Sequence, residues 1–439
     1  RERLFYEQDE FVSGGFSFYN AIPTFDSDKF EVKEAYAEIQ IPILKDVPFF
    51  EELSVNGAAR IASYGGSVGS VWAYNAGAEW SPIRDIRFRA NYGRSVRAPN
   101  LTETAFPQSQ NFAPGFQDPC RAANIGQGTS NRQKNCAADL GPLLDDPPFR
   151  DILAYSVNFF SGSNPNLKEE TSDSWTIGAI VQPRFIPGLS LSVDYYDITV
   201  DDVINTPSFQ TVANGCYDLP DLNNQFCKLF QRYRGPAPGP NQEVTGQILD
   251  VDAVLSPLNF AALERRGIDF EVAYRRNLSA NTSLSARLIY SHQLTNSNFT
   301  SPSDPDFENR ILQELGDPKD EFQFNLDLKH GPFTFGYEAN YIGKQVINLY
   351  EDFFEVPGAC SSSGCPPFDA DYADIRWYPS VLYHDLRFSW DVSKEHQFYV
   401  GVDNVTNRNP PLGLTGVGAG SGIYSIRGRN FYAGFRARF

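Results

Sequence analysis

The chain has 439 residues, 14% of them aromatic, six Cys, no Met and a formal net charge of -17. That acidic balance excludes a nucleic-acid partner, because no excess of Lys and Arg is present to displace phosphate counterions. The absence of any apolar run of the roughly 18 residues a membrane helix needs excludes a helical membrane protein. A mean hydropathy of -0.37 beside so many aromatic residues fits alternating strands joined by polar loops.

Taken in order, Arg1 to about Gln8 reads as the tail of a strand, followed by a polar and aromatic loop. Val32 to Ile43 then alternates, with Ala35, Ala37, Ile39 and Ile41 on one face and Glu34, Tyr36, Glu38 and Gln40 on the other. Leu53 to Ile61, Trp72 to Trp80 and Ile86 to Tyr92 repeat the pattern, with Arg87, Arg89 and Asn91 facing away from the apolar side. A long segment rich in Pro, Gly and Asn follows, residues 95–168, too long for a plain connector. Strand pairs resume at Trp175 to Val181 and Leu189 to Tyr195, before a second long loop at 201–257. Ile268 to Tyr274 and Leu284 to Tyr290 form the next pair, and an acidic loop at 295–319 comes after them. Phe322 to Leu328 turns at His330-Gly331-Pro332 into Phe333 to Tyr341, and a loop at 347–377 leads to Leu382 to Trp390 and Phe398 to Val402. A glycine-rich loop at 405–427 precedes the last strand, where Phe431, Ala433, Phe435, Ala437 and Phe439 oppose Tyr432, Gly434, Arg436 and Arg438.

This makes about fourteen strands whose connections alternate short and long, with one early long position taken by the Gly65-Gly66 turn. Soluble sandwiches have no reason to put every long loop at one end. The pattern predicts an all-β fold, a transmembrane antiparallel β-barrel with short periplasmic turns and long extracellular loops. Trp and Tyr near strand ends are expected as interfacial girdles.

The Cys fall in three close pairs inside loops: Cys120 with Cys136, Cys216 with Cys227, and Cys360 with Cys365. Local disulfides in an oxidising compartment are the economical reading; metal binding is the weaker one, since no pair has a CxxC spacing and no His lies near. The Asp369, Asp371 and Asp374 cluster lacks the Gly and closing Glu of a calcium loop, so a solvated acidic loop is expected there. His384 and His396 fall on the apolar register and cannot serve a lumenal triad. No catalytic residue, metal or cofactor is expected, and the protein is read as no enzyme.

Several stretches resemble the barrel of TonB-dependent outer-membrane receptors. They are Tyr92-Gly93-Arg94-Ser95-Val96-Arg97-Ala98-Pro99-Asn100-Leu101-Thr102-Glu103, Asn164-Pro165-Asn166-Leu167-Lys168-Glu169-Glu170-Thr171 leading into Trp175, Arg266-Gly267-Ile268-Asp269, and Val402-Asp403-Asn404-Val405-Thr406-Asn407. The stretch from Gly428-Arg429 to Phe439 is similar to that family's last strand, which implies that Phe431, Phe435 and Phe439 are read by the barrel-assembly machinery. The resemblance implies an integral protein of the bacterial outer membrane, in contact with lipid and lipopolysaccharide. It also implies a barrel of about 22 strands, of which residues 1–439 supply the C-terminal portion. An N-terminal plug and the first strands are then expected outside this sequence, as a separate chain or segment, with TonB acting through the plug. The function implied is TonB-dependent import of a scarce nutrient such as siderophore-bound iron or a glycan; the alternative is a passive pore or structural barrel. Arg94 and Arg97 at the barrel mouth, and Tyr350, Phe353, Phe354, Tyr372 and Trp377 in the third Cys loop, are the expected ligand contacts. A structural role for the two arginines, pairing with lumenal carboxylates or holding the plug, is the competing expectation.

Overall fold

The computed structural model describes residues 1–16, 22–240, 242–249, 254–301, 305–346, 377–411 and 423–438. The main sheet has fourteen strands, and thirteen of them form one continuous meander in which every strand pairs with its neighbours in sequence. These are β1 Val32–Val47, β2 Phe50–Tyr64, β3 Ser70–Ile83, β4 Ile86–Arg97, β5 Glu170–Val181, β6 Leu189–Asn205 and β7 Leu258–Ser279, then β8 Thr282–Phe299, β9 Asp320–His330, β10 Phe333–Ile342, β11 Val381–Asp391, β12 His396–Asp403 and β13 Asn430–Ala437. The fourteenth member is the short Asn309–Arg310, paired with Ser297 and Asn298 of β8. The path ends at β1 and β13.

Residues alternate across the wall as the period of two requires, and the registers stack like with like. Trp80, Phe88, Ala179, Val193, Phe270, Tyr290, Phe322, Tyr341 and Leu382 lie directly opposite one another from β3 to β11. Within this row Trp80 stacks on Phe88 at 5.5 Å, Phe270 on Tyr290 at 5.7 Å and Phe322 on Tyr341 at 5.1 Å. Trp80, Phe88 and Phe270 nevertheless stay exposed, so among the described residues no protein layer covers this part of the apolar face. Lipid is the solvent that such a face suits. A second aromatic row, Phe333, Trp390, Phe398 and Phe435, crosses β10 to β13 near the short-turn end. Both His384 and His396 lie on this apolar register, His384 bonded to the Tyr337 hydroxyl at 2.7 Å and His396 stacked on Phe435 at 5.6 Å.

The other face is polar. Arg89 reaches over Gly178 to make two bonds with Asp194, at 2.7 and 2.6 Å. A Cβ on Gly178 would sit 1.9 Å from Asp194 Oδ1, so the glycine is what lets this pair form across β5. Gly188 has a similar constraint: it has φ +90° and its missing Cβ would lie 1.9 Å from the Arg275 carbonyl oxygen.

Connections 48–49, 84–85, 182–188, 280–281, 331–332 and 392–395 are short and lie at one end, whereas 98–169, 206–257, 300–319, 343–380 and 404–429 are long and lie at the other, with the brief 65–69 turn among them. The expected alternation is present. The strands run further than their clearest alternation, β4 to Arg97, β6 to Asn205 and β8 to Phe299, so the loops begin later than expected.

One expectation is corrected. Arg1 to Gln8 is not part of the wall: Phe5–Tyr6 pairs with Phe25–Asp26 in a separate two-stranded ribbon, and Asp9 caps a short helix, Glu10–Ser13, by accepting from the Phe11 and Val12 amides. Tyr6 and Phe25 pack on Phe106, in the loop after β4, at 5.9 and 6.3 Å. Capping chemistry and local ion pairing of Arg3 with Asp26 prevail there over a brief alternation.

Candidate functional site

Two long loops, 98–169 and 206–257, fold together into a headpiece above β4 to β7. Each contributes a helix: α1, Ser130–Leu140, capped by the Thr129 hydroxyl, and α2, Phe209–Asp218, capped by the Ser208 hydroxyl. A small sheet joins them, with Ser109–Phe116 antiparallel to Tyr155–Ser161 and Val254–Leu255 parallel to the latter. Its core includes Phe116, Phe149, Val157, Phe209, Val212, Tyr217, Phe226 and Ile248, none more than 2% exposed. Each such side chain contributes on the order of 1.5–3 kcal/mol. Cys120–Cys136 and Cys216–Cys227 are disulfide-bonded, as expected from their spacing. Cys360 and Cys365 lie outside the described residues.

The headpiece core also holds charge. Arg232 donates to Asp118 Oδ2 at 2.6 Å and Oδ1 at 3.0 Å, to the Tyr217 hydroxyl at 2.6 Å and to the Gly246 carbonyl at 2.6 Å. Tyr217 donates in turn to Asp139 Oδ2 at 2.6 Å. Burial opposes the charge on Arg232, yet Asp118 and Tyr217 more than offset it and hold its pKa above the ordinary arginine value. Burial raises the hydroxyl pKa of both Tyr155 and Tyr217. A second buried pair, Arg132 with Asp218, joins the two helices through bonds of 2.7 and 2.5 Å. These residues are far apart in sequence, and sequence reasoning missed them. The Thr129 and Ser208 caps were the available local signals for the helices.

Beside α2 lies a cleft of about 500 Å³ between the two loops, lined by Pro114, Gly115, Gln117, Asn124, Gln127, Ser208, Gln210 and Asn214 over a floor of Phe116 and Phe209.

At the base of the headpiece Arg97 clasps Glu170 with bonds of 2.6 and 2.5 Å and Glu103 with two of 3.1 Å. Glu170 also accepts from the Ile204 amide at 2.7 Å, so one carboxylate gathers β4, β5 and β6. Glu103 closes a capping box with Asn100 on the short helix Leu101–Ala105.

The two expected mouth arginines do not converge. Both lie near the long-loop end of β4, but Arg97 shares the polar register with Arg89, whereas Arg94 shares the apolar one with Phe88 and Tyr92. There Arg94 lies 3.4 Å from Asp173, which also accepts from the Tyr92 hydroxyl at 2.5 Å. Tyr92 and Trp175 sit one step further down, their rings 4.8 Å apart, in the position of an interfacial girdle. Trp377 pairs in a short ribbon with Val346, and the Lys344 ammonium lies 4.6 Å from its ring centre. Tyr350, Phe353, Phe354 and Tyr372, the Asp369, Asp371 and Asp374 cluster, and Phe439 lie outside the described residues. Phe431 and Phe435 project from β13 on the apolar face and are exposed.

Residues 3–405 match the model of a family described as TonB dependent receptor-like, beta-barrel. The chain belongs to this family. It is a family of outer-membrane receptors rather than enzymes, and the wall is that of an integral outer-membrane β-barrel. No curated protein sequence matches the chain. Among solved structures, it is similar to the ferric enterobactin receptor PfeA of Pseudomonas aeruginosa in complex with BCV-L6 (TM-score 0.55, 16% identity, covering 94% of this chain and 46% of that one). It is also similar to the siderophore receptor PirA of Acinetobacter baumannii (TM-score 0.53, 12% identity, covering 93% and 46%). The TonB-dependent receptor chain thus spans just under half the length of these proteins, and at such identities the likeness is one of fold.

Proposed function

We propose that this chain is the C-terminal wall and the ligand-capturing loops of a receptor that imports a scarce nutrient across the outer membrane with energy delivered through TonB. The observation that carries this reading is the family match over nearly the whole chain. In this reading an N-terminal segment supplies a plug and the remaining strands, completing a barrel of about 22 strands, and TonB acts through that plug. The loops bind ligand at the outer surface, and no residue of the wall does covalent chemistry. Arg97 organises the rim through Glu103 and Glu170, Arg94 faces the lipid and lipopolysaccharide boundary, and the aromatic side chains Tyr350, Phe353, Phe354, Tyr372 and Trp377 contact ligand. Phe431, Phe435 and Phe439 present the last strand to the barrel-assembly machinery.

The test is accumulation of radiolabelled oligosaccharide or of radioiron loaded on a catecholate, in cells that express the complete receptor with and without TonB. Receptor-dependent accumulation that vanishes without TonB is expected. Accumulation that persists at the same rate without TonB would mean a passive pore.

A further inference from the structure

The cleft beside α2 has a chemistry that the wall and the rim do not share. It opens where a bulge between Ala113 and Phe116 breaks the register of the small sheet, with Gly115 at φ +72°. Its floor is fixed by the edge-to-face contact of Phe116 and Phe209, 5.2 Å between centroids. Its sides are tied across the two loops: the Gln117 amide donates to Gln210 Oε1 at 2.9 Å, and Gln210 Nε2 donates back to the Gln117 carbonyl at 2.9 Å.

Five amide side chains line this space; Gln210 is bonded at both its oxygen and its nitrogen, and each of the other four is held by one end. Gln117 Oε1 accepts from Arg121 at 2.6 Å and Asn214 Oδ1 accepts from Gln210 at 3.0 Å, which leaves the NH₂ groups of both without a partner among the described residues. Asn124 donates to the Asp118 carbonyl at 3.0 Å and Gln127 to the Ala123 carbonyl at 2.9 Å, which leaves their oxygens in the same condition. The result is two donors and two acceptors with their orientations already set. The one charged side chain of the lining, Arg132, is spent on Asp218 and on the Asn124 carbonyl and is only 5% exposed.

This combination discriminates among ligand classes. An anionic ligand finds no unpaired cation here, and the two loops carry a net negative balance, seven Asp and Glu to five Lys and Arg in 98–169 and five to three in 206–257. A cationic ligand finds no carboxylate in the lining. An apolar ligand would strip water from four amide groups and return no hydrogen bonds. A hydroxyl group both donates and accepts, so neighbouring hydroxyls satisfy a mixed array of this kind. The volume falls within the roughly 300–1,000 Å³ of small-molecule sites.

We propose that the headpiece cleft binds the neutral, hydroxyl-rich end of a glycan, through Gln117, Asn124, Gln127 and Asn214. This names the substrate class within the import reading above and rests on it. The experiment is isothermal titration of the complete receptor, purified in detergent, with neutral tetrasaccharides of glucose, xylose, mannose and galactose, and with a ferric catecholate as the anionic comparison. Binding of at least one neutral tetrasaccharide is expected, weakened at least about tenfold in the double variant Gln117→Ala, Gln127→Ala, which removes two hydrogen-bonding groups. Both positions are exposed, so the variant is expected to fold, and retention of the two headpiece disulfides checks that it has. Failure of every neutral probe to bind overturns the proposal, as does binding that the double variant leaves unchanged. The import reading is judged separately by its dependence on TonB: a receptor that takes up the ferric catecholate in a TonB-dependent manner and ignores the sugars keeps the transport function and loses this substrate.

Discussion

The wall and the headpiece are stabilised in opposite ways. In the wall most large apolar side chains face outward and are partly or fully exposed, and cohesion lies in the strand ladders; in the headpiece Phe149, Val157, Val212 and Cys136 are wholly buried, with charges sealed among them. One region is organised for a lipid solvent, the other builds a water-soluble core from loop sequence. The difference teaches that the headpiece can be damaged without opening the barrel, and the reverse.

The sharpest way to break that comparison is Arg232→Ala. It leaves Asp118 buried without its counter-charge, which costs roughly 3–5 kcal/mol. Hydrogen exchange is expected to rise across Ser109–Phe116, Tyr155–Ser161 and α2 while the wall amides of β7 to β10 keep their protection. Equal loss of protection in both regions would mean that they are one cooperative unit. Replacing Cys120 and Cys136 together by Ser frees a loop of 16 residues, at a cost of about 3 kcal/mol. Limited proteolysis is expected to cut between Arg121 and Asn135 in that variant and to leave the wall intact.

A change in the wall should act in the other sense. Gly178→Val places a side chain where Arg89 and Asp194 meet, with an expected loss of about 1–3 kcal/mol. The readout is the temperature at which the folded barrel loses its compact migration on a denaturing gel, with headpiece exchange unchanged. The smallest effect is expected from Arg94→Ala. Its pair with Asp173 is more than a third exposed on both sides, so less than about 1 kcal/mol is at stake. A larger loss of thermal stability would give Arg94 a structural weight that its geometry does not.

The wall was legible because two independent periodicities agree: side chains alternate within each strand, and short and long connections alternate between them. Arg1 to Gln8 misled because a few alternating residues carry no such cross-check, and the Asp9 cap lies just beyond. Parity along β4 already assigned Ile86, Phe88, Ala90 and Tyr92 to the lipid side, and continuing the count puts Arg94 there too; proximity to Arg97 obscured it. The disulfides were legible since their partners are near in sequence. Arg232 and Asp118 are separated by 114 positions, and no local pattern announces a pair of that kind. The amide cleft was hidden for the same reason, being made where two loops meet and not within either.

Glu170 has a mechanical consequence. Because it grips Arg97 on one side and the Ile204 amide on the other, the stems of both headpiece loops are riveted to a single point on the rim. To swing apart like a pair of doors, the two halves of the headpiece would first have to break this clasp at their common hinge line.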